Sequence, residues 1–93
     1  LVSAGCIISG ATIKRSLLFT GVHVHSFAEI RDSLILPRCR INRHAKLTKV
    51  VVDQDCEIPR GLIVGDDPDL DAKRFYRSEG GVTLITAKML EAL

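Results

Sequence analysis

Val22-His23-Val24-His25-Ser26-Phe27-Ala28-Glu29-Ile30-Arg31-Asp32-Ser33-Leu34-Ile35 and Cys39-Arg40-Ile41-Asn42-Arg43-His44-Ala45-Lys46-Leu47-Thr48-Lys49-Val50-Val51-Val52 carry one pattern, repeated after 17 residues. Extended in both directions, the pattern gives three aliphatic columns of that spacing. They are Ile7, Val24, Ile41, Ile58; Ile13, Ile30, Leu47, Val64; and Leu18, Ile35, Val52. A small or compact residue precedes each aliphatic by two places: Gly5, Ala11, Ser16, Val22, Ala28, Ser33, Cys39, Ala45, Val50 and Cys56, with Leu62 the bulky exception. Three columns keeping one period point to stacked repeats rather than coincidence.

Residues at i and i+2 share a strand face, so each small-x-aliphatic unit turns two side chains inward and the middle one out. Three such strands and three corners close one triangular coil. The sequence therefore predicts an all-β chain, a parallel β-helix of hexapeptide repeats with about four coils. At a rise of ~4.8 Å per coil the stack stands roughly 19 Å tall. A helical reading fails, because β-branched residues abound and the apolar spacing is not 3.6.

The outward columns set the same register. Arg15, Asp32, Lys49 and Asp66 alternate in sign at the same spacing, as do Glu29 with Lys46, Arg40 with Glu57, and Arg38 with Asp55. Opposite charges on adjacent strands contribute a few tenths to ~1 kcal/mol, so these residues read as register marks on a solvated face.

After Gly65 the period ends. Residues 1–65 are assigned to the coils and 66–93 to a C-terminal cap. Asp66 to Asp71 reads as an acidic turn with Pro68 ending any strand. Ala72 to Glu79 is basic and aromatic, and Val82-Thr83-Leu84-Ile85 reads as a last strand. Thr86 is placed to cap a short helix from Ala87 to Leu93, whose Met89, Leu90 and Leu93 would fold over the stack.

Ninety-three residues make one small domain, and a net charge of +2 argues for neither nucleic acid nor an anionic membrane. The apolar runs are too short to span a bilayer, no signal peptide is visible, and the expected location is cytoplasmic. Three cysteines form no disulfide framework; Cys39 and Cys56 share an inward column and read as small buried hydrophobes. The chain opens in mid-coil without Met, so the expectation is a C-terminal module of a longer polypeptide.

No catalytic constellation or phosphate loop is present. His23 and His25 flank Val24 on an outward face, but two ligands are too few for a structural zinc site. Arg43, His44 and Lys46 at one corner, and Arg74, Arg77 and Lys88 on the cap, are the basic groups available for an anion.

Leu1-Val2-Ser3-Ala4-Gly5-Cys6-Ile7-Ile8-Ser9-Gly10, Ser16-Leu17-Leu18-Phe19, Ile58-Pro59-Arg60-Gly61-Leu62-Ile63-Val64-Gly65, Asp71-Ala72-Lys73-Arg74-Phe75-Tyr76-Arg77-Ser78 and Gly81-Val82-Thr83-Leu84-Ile85-Thr86 resemble bacterial ADP-glucose pyrophosphorylases over essentially the whole chain. The Arg-Phe-Tyr-Arg-Ser segment is the specific part, since hexapeptide coils are shared with acyltransferases. The resemblance implies left-handed coiling, whereas ordinary parallel crossovers are right-handed. It also implies an enzyme making ADP-glucose and pyrophosphate from ATP and glucose 1-phosphate for glycogen synthesis. Mg²⁺ would act with ATP in a separate N-terminal catalytic domain, and no cofactor would bind this segment.

By the same resemblance this segment would support a homotetramer, pack on its own catalytic domain, and help bind a sugar-phosphate or keto-acid activator and the inhibitor AMP. The candidate effector residues are the Ser3-Ala4-Gly5 turn, Arg74, Arg77 and Lys88, with Arg43, His44 and Lys46 as further anion contacts. Many members carry basic residues where this chain has Gln54 and Ala87, which disfavours a bisphosphate activator. The rival readings are a hexapeptide acyltransferase, whose extruded catalytic loop the strict period leaves no room for, and the β-helix of another sugar nucleotidyltransferase.

Overall fold

The computed structural model describes residues 5–92. In chain order its elements are β1 (Ile7–Ile8), β2 (Thr12–Lys14), β3 (Leu17–Leu18), β4 (His23–Val24), β5 (Glu29–Arg31), β6 (Leu34–Ile35), β7 (Arg40–Ile41), β8 (Lys46–Thr48), β9 (Val50–Val52), β10 (Glu57–Ile58) and β11 (Ile63–Val64). The tail adds α1 (Pro68–Arg74), β12 (Tyr76–Arg77), β13 (Thr83–Ile85) and α2 (Ala87–Glu91). The coils stack into three parallel faces, β1-β4-β7-β10, β2-β5-β8-β11 and β3-β6-β9-β13, with β12 antiparallel on the outer edge of the third. The expected parallel solenoid is therefore present, and each face is four parallel strands deep.

The interior is the set of aliphatic columns. Val24, Ile30, Ile35, Ile41, Val52, Ile58 and Ile85 are fully buried, and Leu18, Leu47 and Val64 are nearly so. Burying each such side chain contributes about 1.5–3 kcal/mol, which a solenoid accumulates coil by coil. The buried serines are part of the ladder. Ser16 Oγ accepts the Ser33 N–H at 3.1 Å, and Ser33 Oγ accepts the Val50 N–H at 3.2 Å. Each hydroxyl also donates to the carbonyl two residues back, so a small inward residue here is a coil-to-coil hydrogen bond.

The corners show how so short a period closes. Phe27 and His44 share one corner column, Arg15, Asp32 and Lys49 a second, Arg38 and Asp55 a third, all at positive φ between 47° and 65°. This left-handed conformation costs a non-glycine residue on the order of 1 kcal/mol. The cost is offset locally, since the N–H of Asp32, Lys49, Arg38 and Asp55 each donates at 3.0 Å to a carbonyl of the coil before it. Arg15 and Arg38 then grip Asp32 and Asp55 of the next coil through Nε at 2.6 and 2.7 Å. These exposed ion pairs mark register and are worth little beyond ~1 kcal/mol.

One sequence expectation is corrected at the first coil. Ile7 pairs with His23 and Ile8 with Val24, a register of 16 rather than 17. Ile8, not Ile7, thus lines up with the inward column, and Cys6 takes the small inward place, packing against the core. The reason lies at the corner after β1. Gly10, at φ 68°, lies against Ser26, and the turn there is one residue shorter than the Ser26-Phe27 corner above it. The regular spacing resumes with Ile13 opposite Ile30.

The tail also departs from the reading as a turn. Asp67 caps α1 by accepting the Leu70 N–H at 3.2 Å, Pro68 takes the first helical position, and Lys73 and Arg74 sit in the last turn. Downstream, the expected strand is β13, and Thr86 caps α2 by accepting the Met89 N–H at 3.3 Å. Met89 and Leu90 pack against the core as expected, while Leu93 lies outside the described residues.

Ile41→Asp should lower unfolding stability by at least about 3 kcal/mol, because it buries an unpaired carboxylate between Val24 and Ile58. In the first coil, Ile8→Asp should lower the melting midpoint more than Ile7→Asp. Equal effects there would mean that the shortened corner is wrong.

Candidate regulatory site

The cap is held by one buried carboxylate. Asp71 is 1% exposed; its Oδ2 accepts the Gly65 N–H at 2.7 Å and its Oδ1 meets the Arg74 guanidinium at 3.3 Å. The same Arg74 nitrogen donates to the Ile63 carbonyl at 2.9 Å, and the guanidinium lies 5.5 Å from the centre of the buried Phe75 ring. Helix α1 is thereby tied to the last coil. Gly65 has to be glycine, since at φ 100° a Cβ would sit 2.8 Å from Thr48 Cβ and closer still to the Thr48 carbonyl oxygen. Arg74, a candidate effector contact by sequence, thus serves to anchor the cap.

The other candidates are spread over the stack. Arg77 lines a shallow groove with Lys49, Thr48, Gly65, Glu79, Gly80 and Gly81 beyond the last coil. Arg43 and His44 are exposed at a corner, and Lys46 forms an ion pair with Glu29 at 3.7 Å. The His44 ring stacks on Phe27 with centroids 5.2 Å apart, a contact that no sequence feature announced. Lys88 is exposed on α2. Ser3 and Ala4 lie outside the described residues, and Gly5 packs in the first coil against Thr20 and Gly21. Gly5 and Arg77 are therefore at opposite ends of the stack, roughly three rises of ~4.8 Å apart along its axis.

Around Ala87 the surface is acidic. Asp55, Glu57, Pro59, Leu90 and Glu91 line a groove with it, and Gln54 is exposed next to Asp55. Two of these carboxylates already engage the arginines nearby, Asp55 with Arg38 at 2.7 Å and Glu57 with Arg40 at 3.7 Å, so those arginines are not free for a phosphate.

On the β1-β4-β7-β10 face, His23 and His25 stack with ring centroids 4.3 Å apart. Burial pushes the His25 imidazole below its ordinary value, with His23, Arg40 and Arg43 adding in the same direction. Its Nε2 is buried without a hydrogen-bond partner. Among the described residues no three His, Cys, Asp or Glu side chains come together as a metal site. Cys39 and Cys56 are buried free thiols raised by desolvation, Cys56 to about 11, and both are inert in that state.

With this geometry in view, the sequence profile of the GlmU-like, C-terminal hexapeptide family matches residues 1–85. The chain belongs to that family. Within it, the chain is 54% identical over its whole length to a glucose-1-phosphate adenylyltransferase of Albidiferax ferrireducens and 55% identical to one of Rhodopseudomonas palustris strain TIE-1. A glucose-1-phosphate adenylyltransferase of Agrobacterium fabrum is 54% identical, again over all 93 residues. The chain spans 22% of the length of each of these relatives. No described helix of this hexapeptide domain is long and apolar enough to cross a membrane.

A proton linkage follows from His25. Its folded value lies below the ordinary 6.5, so the unfolded chain binds more protons and stability falls as pH drops through that value toward the folded one. Asp32 and Asp55, held low by hydrogen bonds from Arg15 and Arg38, lose their contribution only as pH falls below 3.8. The melting midpoint should therefore drop as pH falls from neutral through the ordinary histidine value, and His25→Gln should flatten that drop. An identical slope in the variant would remove His25 as its source.

Proposed function

We propose that this chain is the regulatory and assembly domain of a cytoplasmic glucose-1-phosphate adenylyltransferase, which joins ATP and glucose 1-phosphate into ADP-glucose and pyrophosphate for glycogen synthesis. The observation that carries this reading is identity of about 54% across the entire chain to enzymes of that name. Nucleotidyl transfer would belong to the larger part of such an enzyme, where Mg²⁺ would accompany ATP. The present residues would serve it by packing against it, by helping to build a homotetramer, and by contributing to sites for an activator and for AMP.

The surface supports a choice among activators. A bisphosphate brings two charges that each require a cationic partner to offset desolvation. Gln54 and Ala87 offer none, and Asp55, Glu57 and Glu91 surround the second position. A monophosphate or a keto acid makes the smaller demand, and Arg77 beside Lys49 or the Arg43-His44-Lys46 corner can meet it with one or two charge-assisted hydrogen bonds.

The full-length enzyme should form ADP-glucose from ATP and glucose 1-phosphate, while residues 1–93 alone should show no turnover; catalysis by the isolated segment would refute the assignment. Fructose 6-phosphate or pyruvate should activate the enzyme more strongly than fructose 1,6-bisphosphate. Gln54→Arg combined with Ala87→Arg should shift that preference toward the bisphosphate, as read from activation curves. Strong activation of the unmodified enzyme by the bisphosphate would show that other residues supply the charge.

A further inference from the structure

Phe27 is an apolar side chain that the fold leaves in water. It is 64% exposed, more than any other large hydrophobic among the described residues, and it stands at a corner with φ 65°. Its column shows that the backbone does not ask for it. Gly10 lies in the coil below, where its carbonyl accepts the Phe27 N–H at 3.2 Å, and Gly61 follows His44 at the same corner. Both glycines take the turn in the same conformation, at φ 68° and 76°. Glycine does so at no steric cost, whereas phenylalanine gives up on the order of 1 kcal/mol. Phe27 gains no place in the hydrophobic core in return. A strained position carrying a side chain that the fold does not use points to a use outside the fold.

The ring is half of a platform. His44 lies parallel to it within 7°, with centroids 5.2 Å apart. The glycines on either side have no side chain to cover the outer face of either ring, and a Cβ at Gly61 would meet nothing within 4 Å. Beside Phe27 runs a groove lined by Gly10, Thr12, Glu29 and Lys46. A second groove shares Glu29 and Lys46 and continues across the β2-β5-β8-β11 face to Arg31, Thr48 and Asp66. Glu29 holds Arg31 at 3.6 Å and Lys46 at 3.7 Å. With Asp66 the continuous groove carries two cations and two carboxylates, so it is neutral as a whole. An anion would compete with Glu29 for both cations, and an uncharged ligand would not.

An exposed aromatic face beside a neutral row of donors and acceptors suits a pyranose. One face of the sugar ring is a patch of C–H groups that packs on an aromatic ring, and each of its hydroxyls both donates and accepts. Glu29 and Asp66 offer acceptors, Arg31 and Lys46 donors, and the Thr12 and Thr48 hydroxyls both. These groups are strung along the face rather than gathered in a pocket, so a run of linked sugars meets more of them than a single sugar does. We propose that Phe27 and the groove across the β2-β5-β8-β11 face bind a neutral α-1,4-glucan chain. The ligand class follows from the groove. That the sugar is glucose rests on the reading above, in which the enzyme supplies glucosyl units for glycogen.

Native electrophoresis of the full-length protein through gels containing glycogen should retard it progressively against an unretarded marker protein, and free maltoheptaose should reverse the retardation. Phe27→Gly removes the ring while suiting the corner, so it should leave the melting midpoint no lower and weaken binding about tenfold. Glu29→Ala, which takes the acceptor shared by both grooves, should also weaken binding, with ADP-glucose formation unchanged. Mobility indifferent to glycogen would overturn the proposal. So would retardation that survives both substitutions, which would place the sugar elsewhere on the protein, or retardation by heparin and not by glycogen, which would make the groove an anion site. The gel reads binding and not turnover. Absence of ADP-glucose formation with retardation intact would therefore uphold the groove and sink the enzyme reading alone.

Discussion

Coil-on-coil backbone pairing is the constraint on which everything else in this molecule depends. A strand of two or three residues has almost no stability of its own, and here it gains its hydrogen bonds entirely from the coils before and after it. That pairing requires every coil to present its donors at the same height, so the register holds at 17 from Thr12 onward and yields by one residue only at the first strand. The corner residues show the strength of the requirement. Phe27, His44 and Lys49 accept left-handed backbone that their side chains disfavour, because a longer and more relaxed corner would break the ladder.

The same constraint organises the chemistry. Each outward side chain belongs to a column, so a surface property is written vertically, once per coil, rather than gathered by distant loops. The Arg15–Asp32 and Arg38–Asp55 ion pairs and the Phe27–His44 stack are columns of this kind, whereas His23 and His25 stack along a single strand. The cap interrupts the pattern, and there a single buried carboxylate, Asp71, takes over by binding the Gly65 N–H and the Arg74 guanidinium together.

Several features are signalled in the sequence by marks that also fit another structure. The start of α1 is signalled by Asp67 followed by Pro68, with acidic residues in the first turn and basic ones in the last; the same acidic run fits a turn equally well, because a proline both stops a strand and opens a helix. The shortened first corner was signalled only by Gly10, and the competing alignment of Ile7 with Val24 looked equally good because Ile7 and Ile8 are adjacent isoleucines. Either could serve as the inward rung on pattern alone. Arg74 and Arg77 are three residues apart, and nothing local says that one anchors the cap while the other faces a groove.

The sequence by itself determined the parallel solenoid, its period, the inward columns from Ile13 onward, the last strand and the Thr86 cap. These follow from chemistry repeated at a fixed interval, and a repeat is visible without knowing where anything lies in space. Tertiary structure alone decided which isoleucine enters the first coil, that Asp71 is buried and Arg74 committed to it, and that carboxylates line the groove around Ala87. Each of these depends on groups from different coils or from the tail meeting across a turn. The distance between such groups is fixed by the closing of the coil, and a linear pattern does not contain it.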